Sequence, residues 1–320
     1  MSRREASMGI ARLLMLPDAP VWVIEDKGAL AAGQASAIAG RLGLPFRRIG
    51  FGATDDRVRP GSLPDLVLTA GTRSGARALL LRARHGCRVV HCASTRPPVP
   101  DRLAGYPFDL MVLAGLEPPG PQAAPLNRPG RLMPALGPPH VVSPALLARA
   151  RQLWEERLSH LPTPRIAVLL GGCVSDPAEA YTAAVQLQRM AREQGGCILL
   201  SASSECRPEI ADTFSAGLSG CIHLIYREGE PGENPTLGFL GGADAVVAAW
   251  SSAQSLSEAC AGTAPVFVLP APRGRRRRLM ERLIALDQAR LFQSSLQPWP
   301  RTPLDEAGRI ARAIRRRFMI

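Results

Sequence analysis

Residues 232–270 read GENPTLGFLGGADAVVAAWSSAQSLSEACAGTAPVFVLP, and this stretch decides the fold. The segment runs from a loop through a short helix, an apolar strand, a polar turn and a second helix to another apolar strand. The two apolar runs, 244–250 and 265–269, have the length and continuity of parallel strands that are buried on both faces. This order of elements predicts half of an α/β domain of the kind that binds nucleotides.

The polar turn between those two strands is a candidate ligand site. The residues at this turn are Ser251, Ser252, Gln254 and Ser255. Hydroxyls and backbone N–H groups converge at a turn that joins the carboxyl end of a strand to the start of a helix. These groups can bind a phosphate. Glu258 follows about one turn later, where a carboxylate can accept hydrogen bonds from a ribose diol. The alternative is that Ser251 or Ser252 only caps the helix and that Glu258 faces water.

Three earlier apolar runs of the same half also end in polar turns. The predicted strand and turn pairs are 166–170 with 171–175, 197–201 with 203–207, and 222–226 with 229–234. Because the carboxyl ends of parallel strands meet at one edge of a sheet, we expect all four polar turns to lie together there. A single glycine-rich turn would be a weak signal, whereas four that converge favour a nucleotide site.

The first half of the chain repeats the alternation of strand and helix. The predicted strands are 21–24, 66–70, 89–92 and 110–113. One helix is predicted at 29–42, and the turn 71–74 leads into a second helix that runs through residue 84. This alternation predicts a parallel sheet with helices on both faces. Residues 117–139 are crowded with Pro and Gly and are expected to form a long irregular segment that covers a cleft between two domains.

The predicted architecture is therefore α/β, with two Rossmann-like domains that face each other across a cleft. We predict an N-terminal domain at 1–150, a C-terminal domain at 151–300 and a basic C-terminal helix at 301–320. Ser143 and Pro144 favour the start of a connecting helix that ends near residue 158. The last helix is predicted from a capping box at 302–305, and its apolar stripe can pack on the N-terminal domain or lie on a membrane.

Composition narrows the class of protein and the kind of partner. The chain has 320 residues, 46% hydrophobic and 21% charged, and a net charge of +12 with Lys27 as its only lysine. From Arg273 onward 13 arginines face 4 acidic residues, a difference of 13 − 4 = +9. This block predicts an anionic membrane surface as partner, through Arg275, Arg276, Arg277, Arg278 and the last helix, or else a solvated face. Nucleic acid is not favoured, because no aromatic side chains interleave the arginines.

Cysteine usage and apolar run lengths indicate the compartment. The seven cysteines form no CxxC pair and are odd in number, which is typical of reduced thiols in a cytosolic protein. His91 and Cys92 would point to opposite faces of one strand, so no metal site is predicted around them. No apolar run approaches the ~20 residues of a membrane span, and no cleavage-site pattern follows the N-terminal arginines. The predicted location is cytoplasmic, peripheral to the inner membrane face if the basic block contacts lipid.

Short motifs in the same order along the chain resemble the mitochondrial fission "elongated mitochondria" family. They are Asp26 with Gln34, PDLV at 64–67, FDL at 108–110, GPPHVVSP at 137–144, Gly171-Gly172, GENP at 232–235 and Ser257-Glu258-Ala259. Bacterial members of that family are glycosyltransferase-like proteins of the B-fold. Ser252, Ser255, Glu258 and Pro265 are also similar to the donor-binding pattern of B-fold glycosyltransferases.

The resemblance implies a donor site, an acceptor side and a substrate. The donor, a nucleotide sugar, would be held by Gly171, Gly172, Arg207, Glu233, Asn234, Ser252, Ser255 and Glu258. The acceptor would lie near Asp26, Lys27, Gly71, Thr72 and Arg73, with Asp26 as base or alternatively as a turn cap. Arg207 and two helix starts would clamp the leaving diphosphate, so neither a metal nor another cofactor is required.

The chain also departs from the family pattern at several polar positions. Leu30 and Ala31 replace a Gly-His pair, residues 114–117 replace a Pro-x-His-Asp run, 204–208 replace Ser-Arg-Arg-Thr-Pro, and Ser251 replaces an Asp. The motifs that indicate the family's fold are therefore present, whereas several polar residues that could take part in catalysis are replaced. A non-catalytic protein that recruits partners to membranes is therefore the second hypothesis, and an epimerase acting on a nucleotide sugar is the third.

Overall fold

The computed structural model describes residues 19–26, 33–50, 63–93, 107–114, 131–172, 174, 176–269, 275–293 and 296–320, with backbone alone at 275 and 276. Within these residues the strands are β1 (Val21–Glu25), β2 (Phe46–Ile49), β3 (Leu66–Ala70), β4 (Arg88–Ala93), β5 (Leu110–Ala114), β6 (Leu132–Ala135), β7 (Arg165–Leu170), β8 (Cys197–Ala202), β9 (Ile222–Arg227), β10 (Ala245–Ala249), β11 (Val266–Val268) and β12 (Arg290–Leu291). The helices are α1 (Gln34–Leu42), α2 (Thr72–His85), α3 (Pro144–Leu158), α4 (Pro177–Glu193), α5 (Pro208–Gly217), α6 (Thr236–Gly242), α7 (Ala253–Ala259), α8 (Arg275–Ala285) and α9 (Glu306–Phe318).

The chain divides into two units, each with its own sheet. The C-terminal unit is Val142–Leu304, and the N-terminal unit comprises the described residues from Ala19 to Val141 together with Asp305–Ile320. Helix α3, which a boundary at residue 150 would cut, lies whole in the C-terminal unit. Within the described residues both sheets have six strands and every strand pair is parallel, so the predicted α/β class is confirmed.

The N-terminal sheet has the order β2-β1-β3-β4-β5-β6 and is covered on both faces. Alternation along β1 sends Val21 and Val23 to a core shared with α1 and α9, and sends Trp22 and Ile24 to a core shared with α2. Burial on both faces explains why these strands read as continuous apolar runs.

The C-terminal sheet has the order β12-β11-β10-β7-β8-β9, and its main core lies between the sheet and helices α4 and α5. Helices α3 and α6 approach each other closely because α6 carries glycines at the contact. A Cβ at Gly238 would overlap the Trp154 ring, and a Cβ at Gly241 would overlap the Leu147 carbonyl. Ser143 caps α3 by accepting a hydrogen bond from the Leu146 N–H at 3.1 Å, as the sequence predicts.

Helix α9 returns to the N-terminal unit, which confirms the predicted return of the last helix. Its stripe of Ile310, Ile314 and Phe318 is buried against α1 and the sheet. These side chains are therefore not available to a membrane surface. The predicted capping box at 302–305 is wrong: Asp305 itself is the N-cap, accepting from the Gly308 N–H at 3.0 Å, and the helix starts at Glu306.

Two elements of the N-terminal sheet depart from the sequence prediction. Strand β2 was not expected, and β6 lies inside the stretch 117–139 that was expected to be irregular. Of that stretch, residues 117–130 lie outside the described part of the chain, as do 29–32 of the first predicted helix. No helix in the described residues is long and apolar enough to cross a bilayer.

Ile314→Ala tests whether the α9 stripe is structural. Because Ile314 is fully buried, we expect the free energy of unfolding of the N-terminal unit to fall by about 2–5 kcal/mol, with a lower melting temperature. Arg316→Ala on the exposed face of the same helix is the matched control and should change stability by less than about 0.5 kcal/mol. Equal melting temperatures for Ile314→Ala and the wild type would contradict the packing.

Candidate nucleotide site

The carboxyl edge of the C-terminal sheet gathers four polar turns, as the sequence predicts. Strands β7, β8, β9 and β10 all run in one direction, so their following turns share one edge. A small cavity opens there. Its lining is Leu169, Leu170, Gly171, Ser201, Ala202, Ser203, Glu228, Asn234, Thr236, Ser251 and Ser255. Three of the predicted donor-site residues, Gly171, Asn234 and Ser255, therefore meet at one cavity.

The hydroxyl groups that line this cavity differ in their hydrogen bonding. Ser201 and Thr236 are both buried, and their hydroxyl oxygens lie 2.7 Å apart, so they satisfy each other. The Ser203 hydroxyl is also out of contact with solvent, yet it makes no hydrogen bond within the described part of the chain. A buried hydroxyl without a partner is costly, so Ser203 offers an unused donor and acceptor to a ligand.

Gly171 and Gly172 are required by neighbouring backbone. A Cβ on Gly171 would overlap the carbonyl oxygen of Trp250, and a Cβ on Gly172 would overlap the carbonyl oxygen of Glu205. The Gly171 N–H donates to Ala249 at 2.8 Å, which extends the pairing of β7 with β10 beyond the strands. Because these two glycines have no side chain, the turns after the strands pack closely against each other. The close packing also makes the cavity between the turns narrower.

The turn after β10 is held in a strained conformation. Trp250 has φ of +51°, a region that bulky residues rarely adopt. Ser251 donates its hydroxyl to the Leu169 carbonyl at 2.6 Å, and Ser252 caps α7 by accepting from the Ser255 N–H at 3.1 Å. The capping alternative is therefore correct for Ser252, while the Ser255 hydroxyl remains at the cavity wall. Backbone strain of this kind costs of order 1–3 kcal/mol and clusters at functional sites.

Glu258 is buried on α7, with 5% of its surface exposed, so the alternative in which it faces water is wrong. The Gln254 amide donates to its carboxylate at 2.9 Å. Sequence reasoning missed Arg301, which holds the far end of the same helix. The Arg301 guanidinium donates to the carbonyls of Cys260 at 2.9 Å, Gly262 at 2.6 Å and Ala264 at 2.8 Å. It thereby satisfies carbonyls that the end of α7 leaves unpaired.

The remaining predicted donor-site residues have contacts of their own. Glu233 forms an ion pair with Arg157 at 2.8 Å, and Arg157 also covers the Trp154 ring. Asn234 accepts a hydrogen bond from the Thr236 N–H at 2.9 Å, which leaves its amide nitrogen beside the cavity. Arg207 precedes α5 with its side chain half exposed, 4.0 Å from Glu209.

The predicted acceptor-side residues meet at the carboxyl edge of the N-terminal sheet. The Asp26 carboxylate accepts from the Arg73 N–H at 3.1 Å, from the Ser74 N–H at 2.9 Å and from the Ser74 hydroxyl. Asp26 thus caps α2 from the neighbouring strand. Gly71, at φ +103°, has no room for a Cβ because Asp26 lies against it, and Thr72 and Arg73 are exposed. Lys27 lies outside the described residues.

His91 lies beneath this capped helix start. Its ring stacks on Phe108 with centroids 4.5 Å apart and fills the space beside Gly75. Burial lowers the pKa of His91 to about 4, and the nearby charge of Asp26 offsets part of that shift. His91 and Cys92 belong to cores on opposite sides of β4. Within the described ranges no three His, Cys, Asp or Glu side chains are placed to hold a metal ion.

Two parallel α/β sheets in separate units, one with polar turns gathered at its carboxyl edge, define the glycosyltransferase B class of fold. The family model for mitochondrial fission ELM1 matches residues 32–318, and the chain belongs to that family. No curated protein sequence matches it.

Solved structures support the fold. UDP-GlcNAc 2-epimerase from Methanocaldococcus jannaschii aligns over 92% of this chain and 99% of its own, at 14% identity and a TM-score of 0.52. A protein assigned as UDP-N-acetylglucosamine 2-epimerase from Listeria monocytogenes aligns over 94% and 97%, at 16% identity and a TM-score of 0.51. At these identities the likeness shows the fold and nothing more specific.

The pKa of His91 predicts a pH dependence of stability. In the folded state His91 binds its proton only near pH 4, whereas in the unfolded state it does so near pH 6.5. Stability from this group is therefore complete above about pH 6.5 and is lost as the pH falls, by about 2 kcal/mol between pH 7 and pH 5. His91→Phe, which keeps the ring stacked on Phe108, should flatten the melting temperature over this range. The exposed His160→Gln control should not, and equal slopes for wild type and His91→Phe would contradict the assignment.

Proposed function

We propose that this protein is a glycosyltransferase-like protein that binds a nucleotide sugar at the carboxyl edge of the C-terminal sheet. The observation that carries the proposal is the cavity at that edge, where Ser203 offers a buried hydroxyl that has no partner in the described residues. Ser255 and Asn234 line the same cavity, and the strained turn at Trp250 adjoins it. Membership of the fission family and the fold support a nucleotide-sugar ligand over other anions.

We assign a role to each donor-site residue from its chemistry and from its position relative to the cavity. Ser203, Ser255 and the Asn234 amide are positioned to hydrogen-bond phosphate or sugar oxygens. Glu258 lies one turn along α7 and takes the ribose hydroxyls as acceptor. The backbone at Gly171 and Gly172 leaves room for the diphosphate, Arg207 at the head of α5 supplies positive charge, and Ser252 and Glu233 hold the turn and loop in place. Neither a metal nor another cofactor is needed for this binding.

The acceptor side of the proposal is the carboxyl edge of the N-terminal sheet. Gly71, Thr72 and Arg73 present backbone and exposed polar groups there, with Lys27 following Asp26 in sequence. A saccharide acceptor anchored in a membrane would suit the high positive charge of the chain. We propose peripheral association with an anionic membrane at the cytoplasmic face, with Arg275, Arg276, Arg277, Arg278 and the basic side of α9 as candidates.

Glu258→Ala tests the donor site, with UDP-GlcNAc as the first probe because both fold relatives are named for that compound. Losing the ribose acceptor should weaken UDP-GlcNAc binding by about 1–3 kcal/mol in titration calorimetry, with a smaller loss for Glu258→Gln. Glu193→Ala, an exposed carboxylate at the end of α4, is the matched control. Equal affinity in wild type and Glu258→Ala would remove the ribose assignment. A melting temperature that collapses in both Glu258 variants would make the residue structural.

A second candidate is a protein that binds the nucleotide sugar without turning it over. The Asp26 contacts favour it, because both carboxylate oxygens already accept hydrogen bonds from the start of α2. In that case Asp26 positions the helix and does not accept a proton from an acceptor hydroxyl. An epimerase would instead convert UDP-GlcNAc to its 2-epimer without releasing UDP.

Asp26→Asn separates these candidates. If Asp26 is a base, turnover should fall by roughly 10² to 10⁴ while UDP-GlcNAc affinity stays unchanged. If it is only a cap, turnover should stay within a few-fold, and the melting temperature should fall because Asn keeps one of the two acceptor oxygens. UDP release and sugar epimerisation are measured in the same incubation. Binding without either product in the wild type would establish the non-catalytic candidate.

A further inference from the structure

The amino edge of the N-terminal sheet carries a cluster of arginines, three of them in the last turn of α9. Helix α2 ends just before β4, so Arg84 and Arg88 lie at this edge. The last turn of α9 reaches the same place, because the Arg88 guanidinium donates to the Phe318 carbonyl at 2.7 Å and Arg315 donates to the Leu42 carbonyl. We name Arg84, Arg88, Arg315, Arg316 and Arg317 the basic edge.

Arg88 and Arg315 of the basic edge make contacts that leave their positive charges in place. Arg88 and Arg315 bond to carbonyl oxygens, and Arg88 also lies 5.1 Å from the centre of the Phe318 ring. Carbonyls and rings orient a guanidinium without cancelling its charge. Among the described residues, Asp109 is paired with Arg82 at 3.1 Å, and Asp65 lines a cavity together with Arg88.

An exposed apolar tip follows the basic edge in sequence. Met319 ends α9 with φ of +53°, a position that glycine usually fills, and 90% of its side chain is exposed. Ile320 is also exposed. Met319 and Ile320 therefore place exposed apolar side chains next to the arginines of the basic edge.

A cavity of about 390 Å³ adjoins this tip. Its lining combines a cation, apolar groups and a histidine: His85, Arg88, Phe318 and Ile320, with Asp65 and the buried Cys87 at the floor. Charged and aliphatic groups side by side suit a phospholipid headgroup and the upper part of its chains. The exposed apolar groups are aliphatic and offer no ring on which a nucleobase would stack.

From these observations we infer that the basic edge and Met319 dock the N-terminal unit on an anionic phospholipid bilayer. The arginines contact headgroup phosphates, and Met319 enters the interface between headgroups and chains. The inference rests on the peripheral membrane association of the proposed function and names the surface that makes the contact. It places the membrane contact on the N-terminal unit, whereas Arg277 in the other basic run is already paired with Glu281 at 2.8 Å.

Co-sedimentation of the full chain with vesicles tests the inference. Vesicles of about 30% phosphatidylglycerol in phosphatidylcholine should bind the wild type at about 0.1 M salt and release it at about 0.5 M. The exposed double variant Arg316→Gln with Arg317→Gln should lower the partition coefficient roughly 30-fold, at about fivefold for each arginine. Met319→Ser should lower it about tenfold. Replacing Arg316 and Arg317 by lysine should preserve binding.

Control variants and competition make the test decisive. The exposed pair Arg149→Gln with Arg192→Gln removes the same charge from the C-terminal unit and should cost less than about threefold. An equal loss in this control, or an unchanged partition in the Arg316 and Arg317 double variant, would overturn the inference. So would a loss confined to Arg277→Gln with Arg278→Gln, or displacement of vesicles by inorganic phosphate at constant ionic strength. Calorimetry with UDP-GlcNAc on the same variants should be unchanged, so failure of the donor site would be seen separately.

Discussion

The candidate site depends on one close backbone contact, between Gly171 after β7 and the Trp250 carbonyl after β10. No side chain fits between these two turns, so residue 171 must be glycine. At this contact β7 and β10 stay paired past their ends, and Trp250 has a left-handed backbone conformation. Ser251 then bonds to Leu169, and Ser252 is set to cap α7. The serines and Glu258 have their positions because the two strand ends meet so closely.

Each unit has a glycine at the end of a strand that permits a close approach, but the consequence differs between the two units. In the C-terminal unit a strand-end glycine brings two turns together around a cavity, and Arg301 fixes the far end of α7 through carbonyl contacts. In the N-terminal unit Gly71 lets Asp26 approach the start of α2, where its carboxylate caps the helix. The first arrangement leaves the Ser203 hydroxyl without a partner in the described residues, whereas in the second both oxygens of the Asp26 carboxylate accept hydrogen bonds from the start of α2.

The sequence predicts the buried parallel strands well, because a strand that is buried on both faces has apolar residues at successive positions. Strands β2 and β6 escaped prediction for a physical reason. They are edge strands, where the two arginines of β2 and Pro134 of β6 are tolerated. The polar turns were also predicted, since they follow the strands. The Glu233–Arg157 pair, the cap from Asp26 to α2 and the Arg301 contacts join residues distant in sequence, and no local pattern signals them.

The central claim is that a nucleotide sugar binds at the carboxyl edge of the C-terminal sheet. Amide hydrogen exchange of the full chain, with and without saturating UDP-GlcNAc, tests it most directly, because it locates protection along the backbone. The account predicts slower exchange in peptides covering 197–207 and 250–259, with no change over 34–42 and 306–318. Protection confined to the N-terminal unit, or no protection at saturating ligand, would contradict it.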